Sequence, residues 1–149
     1  MATPLEALFT ATLGVIGGLV GASILERVKA GVASLDAELV RLDMLEDDLF
    51  DIFALPTDDD DRGSMLRQLN SRRRRLGQNI KRKVADSVAY QACKVELVNL
   101  NGFIAKAEDG EPLSEALETA IEQSVSRLRS NLRRSSKMAK AFALLRGEA

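Results

Sequence analysis

Apolar positions recur along this chain at helical spacing, and one stretch carries no charge at all. From Leu8 to Leu25 the sequence LFTATLGVIGGLVGASIL runs eighteen residues without an ionisable side chain. As a helix it is roughly 27 Å long, against roughly 30 Å for the hydrocarbon core of a bilayer. Thr3-Pro4-Leu5-Glu6 marks its start as a capping box with proline at the first helical position. Downstream the pattern continues as Leu25, Val28, Val32, Leu35, Leu39 and Leu42, alternating steps of three and four that predict a heptad seam. Leu45, Leu49 and Ile52 follow one extra three-residue step later, which reads as a stammer. A first helix is therefore predicted from Pro4 to about Ala54.

Two breaks combine proline, glycine and acids, the chemistry of turns. They are Pro56–Gly63 and Glu108–Pro112. Between them a second helix is predicted from Ser64 to about Ala107. Its apolar side is Met65, Leu66, Leu69, Leu76, Ile80, Val84, Val88, Ala92, Val95 and Val98, with Gly77 as a weak point. A third is predicted from Leu113 to about Leu145, with Leu117, Ala120, Ile121, Val125, Leu128, Leu132, Ala139, Phe142 and Leu145 as its stripe. Its acids precede its bases, which suits the helix dipole. The expected fold is all-α: an N-terminal transmembrane helix over residues 1–25, continuous with a cytoplasmic antiparallel helical hairpin or three-helix bundle over 26–149. That picture carries a tension. An unbroken second helix, folded back, reaches the bilayer surface or runs beside Leu8–Leu25, unless it breaks near Gly77 or the first segment is buried in a soluble bundle.

The apolar run has an internal pattern. Gly14 to Gly18 and Gly17 to Gly21 are overlapping GxxxG motifs. At about 100° per residue, Thr10, Ala11, Gly14, Gly17, Gly18 and Gly21 share one face. Such a face lets membrane helices approach closely, so Thr10, Gly14, Gly17, Gly18 and Gly21 are the expected self-association face of a homo-oligomer. Glu6 precedes the run, while Arg27 and Lys29 follow it. The positive-inside rule then puts the N-terminus outside and the remainder in the cytoplasm, as a single-pass protein. No basic n-region and no small-x-small site suggest a cleaved leader.

Charge changes the picture further. The net charge of −1 over 149 residues conceals segregated blocks. Glu26 to Asp61 holds twelve acids and three bases, whereas Arg62 to Lys83 holds nine bases and no acid. A hairpin bringing Arg72–Arg75 level with Asp43–Asp51 neutralises both blocks, and this is the preferred reading. Arg72, Arg73, Arg74, Arg75, Lys81, Arg82 and Lys83 are also the candidate patch for an anionic partner, whether lipid, protein or nucleic acid. No aromatic platform accompanies them, which disfavours single-strand binding. Asp58–Asp61 lacks the spacing of a calcium loop and reads as a solvated turn.

Catalytic chemistry is poorly provided for. The chain has no histidine, and its one cysteine, Cys93, fits a small buried apolar residue. No phosphate loop, dinucleotide fingerprint, nucleophile elbow or metal triad is present, so no enzyme, cofactor or metal is expected. Three functions remain: a membrane-anchored scaffold binding an unidentified protein partner, a small pore or holin-like oligomer, and a soluble virion or filament subunit with a basic face for nucleic acid. The first is preferred, because a lone span with few polar residues makes a poor pore.

Overall fold

The computed structural model describes residues 22, 23, 26, 30, 35–84 and 87–145. Leu8–Leu25 and the face formed by Thr10, Gly14, Gly17, Gly18 and Gly21 lie outside this set, apart from residues 22 and 23. Among the described residues there are four helices and no strand: α1 over 35–54, α2 over Arg62–Lys83, α3 over Ser87–Glu108 and α4 over Glu115–Leu145. None of them is long and apolar enough to cross a membrane.

Cross-helix contacts fix the topology. Lys83 Nζ lies 2.6 Å from Glu38, and Arg72 pairs with Asp48, so α2 returns antiparallel along α1. Asn70 donates to Glu108 at 2.6 Å, which sets α3 antiparallel to α2. Ser124 donates to Glu96 at 2.8 Å, which sets α4 antiparallel to α3. Arg129 on α4 meets Asp43 at 2.7 Å and Glu46 at 3.1 Å on α1, closing the ring. The result is an up-down-up-down four-helix bundle around a core of leucine and isoleucine, including Leu42, Leu49, Leu69, Leu76, Ile80, Leu100, Ile121 and Leu128.

The predicted three-helix arrangement is corrected to four helices. The second helix passes through Gly77 without interruption and stops at Val84, whose backbone is extended at φ −91 and ψ 94. The break resets the helical phase. Val88, Val95 and Val98, expected in the core, are 76%, 58% and 62% exposed, while Cys93, Leu100, Ile104 and Ala107 are buried instead. Cys93 and Val95 are two residues apart and so face nearly opposite directions. The break also means that α2 ends level with the start of the continuously described part of α1 rather than running on past it.

The stammer is corrected too. Buried positions on α1 are Leu35, Glu38, Leu42, Leu45, Leu49 and Ile52, an unbroken alternation of three and four. The seam passes through a glutamate, which hydropathy reading skips in favour of Leu39, and Leu39 is only half-buried.

Local chemistry sets the ends. Ser114 caps α4, its hydroxyl accepting from the Leu117 amide at 3.2 Å. Helix α3 ends in a Schellman motif: the Glu111 amide donates to Lys106 and the Gly110 amide to Ala107, with Gly110 at φ 74. Gly110 also abuts Thr57, so the α1–α2 and α3–α4 loops meet at one end.

Candidate functional site

Three buried charged side chains organise the described interior. Glu38 is fully buried and accepts from Lys83 on α2, from Asn79 on α2 at 3.3 Å, and from Arg41 on its own helix. Glu96 accepts from Ser124, itself buried, and from Asn99 at 3.1 Å, and lies 3.8 Å from Arg127. Both carboxylates occupy seam positions, where a charge is costly unless partnered. Arg62 is the third. Its guanidinium donates to Ile52 O at 2.8 Å, Leu55 O at 2.7 Å and Ala107 O at 2.7 Å. These carbonyls belong to the C-terminal ends of α1 and α3, which run parallel and present their negative dipole ends together. One cation therefore caps two helices. Each of these groups is engaged by partners within the fold.

Sequence reading missed all three, because each is a polar residue at a position that periodicity assigns to the core or to a turn. The available signal was the alternation itself: Glu38 fills the heptad between Leu35 and Leu42. Two further ionisable groups feel the packing. Burial pushes the Cys93 thiol up to about 11. Burial also raises the carboxyl of Glu46 above its ordinary range, against the opposing pull of Arg129. The hydrogen bond from Arg129 to Asp43 holds that guanidinium more firmly in its charged form.

The candidate anion patch divides in the structure. Arg72 is tied to Asp48, and Lys83 to Glu38. Arg73 is half-buried, and its Nε is shielded from solvent with no hydrogen-bond partner. Arg74, Arg75, Lys81 and Arg82 are exposed and make no ion pair with the described residues. The expected neutralisation across the hairpin is thus partial. Arg72 and Lys83 serve it, and a row of solvated cations is left over. Among the described residues, open clefts lined by arginine include two that bear on the patch and on α4. One, of about 420 Å³, lies between α1 and α2 and includes Arg41, Arg72, Arg75 and Arg82. The other, of about 560 Å³, lies along α4 and includes Ser126, Ser130, Arg133 and Arg134.

Many of the charges sort by height in the bundle, although exposed Asp36 stands at the start of the described part of α1 and exposed Arg67 near the loop end. At the loop end stand Asp58, Asp59, Asp60 and Asp61 between α1 and α2, with Glu108, Asp109, Glu111 and Glu115 around the α3–α4 turn. At the opposite end stand Lys81, Arg82 and Lys83 closing α2, with Arg133 and Arg134 on α4, which continues through Lys137 and Lys140. The chain enters α1 at this basic end. The Asp58–Asp61 run forms a turn in which the Asp61 amide donates to Asp59 at 2.8 Å. No group of three or more metal-ligating side chains among the described residues is placed to hold an ion.

Comparison with protein-family models, with curated proteins and with solved structures finds no match to the chain in any of the three.

Proposed function

We propose that this chain is a non-enzymatic helical scaffold, anchored in a membrane by residues 1–25 and presenting residues 26–149 as a cytoplasmic interaction bundle. The observation that carries the reading is the eighteen-residue uncharged run Leu8–Leu25, joined to a bundle whose described helices share one apolar core. The four helices bury their apolar seams against one another. An uncharged run of this length is suited to lipid as its solvent. The glycine face at Gly14, Gly17, Gly18 and Gly21 then brings copies together by close backbone approach. The absence of histidine and the consumption of the buried carboxylates by internal partners favour binding over catalysis.

The test is crosslinking of the full chain in reconstituted vesicles, comparing the native sequence with Gly17→Leu and Gly18→Leu. The expected result is a crosslinked fraction lower by about tenfold, roughly 1.4 kcal/mol, with both variants still inserted. Unchanged crosslinking in both variants contradicts the glycine face as the contact.

A further inference from the structure

The basic end of the bundle is the end at which the continuously described part of α1 begins. The described part of α1 begins at Leu35, level with Lys83 at the end of α2 through the Glu38–Lys83 pair. Arg133 and Arg134 on α4 reach the same level, because Ser124 pairs with Glu96 and α4 runs on past the start of α3 at Ser87. Helix α4 is 31 residues long against 22 for α2 and α3, so its last turns, with Lys137 and Lys140 in their sequence, run on past the start of α3 on this side. All the acids of the two loops lie at the far end, some 30 Å away for a 22-residue helix. Nine residues lie between Leu25 and Leu35, and the ten steps from one to the other span at most about 35 Å.

We infer that this basic end is a docking surface for anionic phospholipid headgroups, with Lys81, Arg82, Arg133 and Arg134 as its contact cations. The inference rests on the anchored reading above for the direction in which the bundle faces. Charge complementarity supplies the rest. An anionic leaflet attracts juxtamembrane cations within a Debye length, about 8–10 Å at physiological salt, and repels acids. A rod with cations at the tethered end and acids at the free end is aligned by that field, standing up from the surface rather than lying along it. The arginine-lined clefts on α1–α2 and on α4 are open recesses in which a phosphodiester accepts from guanidinium donors. Arg72 and Lys83 are not needed, being engaged with Asp48 and Glu38. A nucleic acid is the less favoured occupant, since α2 offers no aromatic side chain to stack on a base.

Energy transfer to a headgroup-labelled lipid tests this on the full chain. Cys93→Ala removes the native thiol, and a donor dye is placed at Gln91→Cys near the basic end or at Ala116→Cys at the acidic end, both exposed positions. In vesicles with about 30% anionic lipid, transfer from position 91 is expected to be at least twofold above that from position 116, and to fall toward it in about 0.5 M salt. It is expected to fall likewise in purely zwitterionic vesicles and in the variant carrying Lys81→Glu, Arg82→Glu, Arg133→Glu and Arg134→Glu. Transfer from position 91 that ignores lipid charge and salt in the unreversed chain overturns the inference, whether or not the reversed variant folds. So does its loss when a single-stranded oligonucleotide is added at low salt, which assigns the cations to nucleic acid. Carbonate washing of zwitterionic vesicles reads the anchor separately. If the chain washes off there while salt-sensitive transfer persists on anionic vesicles, the anchor falls and the docking surface stands.

Discussion

Arg62 donates to three carbonyl oxygens and pairs with no carboxylate among the described residues. Its removal leaves the C-terminal carbonyls of α1 and α3 without donors in a closed environment, at about 1–3 kcal/mol for each unsatisfied group. Arg62→Met is expected to lower unfolding free energy by about 3 kcal/mol or more in urea titration, and Arg62→Lys by somewhat less, since one ammonium cannot span both helix ends. Unchanged midpoints would show that water serves those carbonyls equally well. Cys93 gives a pH signature. Its folded pKa, about 11, stands above the roughly 8.5 of an unfolded thiol. Between those values the folded state holds the proton that the unfolded state has lost, so stability falls as pH rises through the interval. Measured from about pH 8 to about pH 10.5, the native chain should lose up to about 2–3 kcal/mol relative to Cys93→Ala. Parallel curves for the two proteins would place the thiol in solvent.

At the scale of elements, the glycines separate two kinds of helix position. Gly77 lies within α2, and a Cβ there meets only Leu97 Cδ1 at an ordinary 3.8 Å. Gly77→Ala should therefore stabilise the bundle by about 0.5–1 kcal/mol through helix propensity. Gly110 sits at φ 74, and a Cβ there meets Thr57 Cγ2 at 3.0 Å. Gly110→Ala should cost about 1–2 kcal/mol. Thermal midpoints moving in the same direction for both would contradict the placement of the α2 interior and the α3 cap. These elements also show what the sequence made readable. The leucines of α1 from Leu42 to Ile52, Leu69 to Ile80 on α2 and Leu117 to Leu132 on α4 announced their buried faces by spacing alone. The start of α3 did not. Val84, Val88, Ala92, Val95 and Val98 continue an apolar stripe across the break, and periodicity tracks phase only within one helix. The Asp86-Ser87 pair, residue types that favour helix starts, was the available clue.

The described bundle carries an excess of cations at one end and of acids at the other, an arrangement invisible to net charge and only half visible in the sequence blocks. The blocks showed that α1 and α2 are complementary. They did not show that Arg72 and Lys83 do the pairing while Arg74, Arg75, Lys81 and Arg82 stay in solvent, because that depends on which way each side chain faces around α2. The two groups should respond differently to reversal. Arg72→Glu, set against Asp48, should cost about 1 kcal/mol, whereas Arg74→Glu with Arg75→Glu should leave the thermal midpoint nearly unchanged. Equal losses would mean that the solvated arginines also hold the bundle together.

The anchored reading stands on the solvent of residues 8–25, and alkaline carbonate extraction of full-length protein from reconstituted vesicles, read by flotation, addresses it most directly. The predicted result is that the chain floats with the lipid after extraction and stays there in high salt. Release into the aqueous fraction as a monodisperse particle that needs no detergent would contradict it.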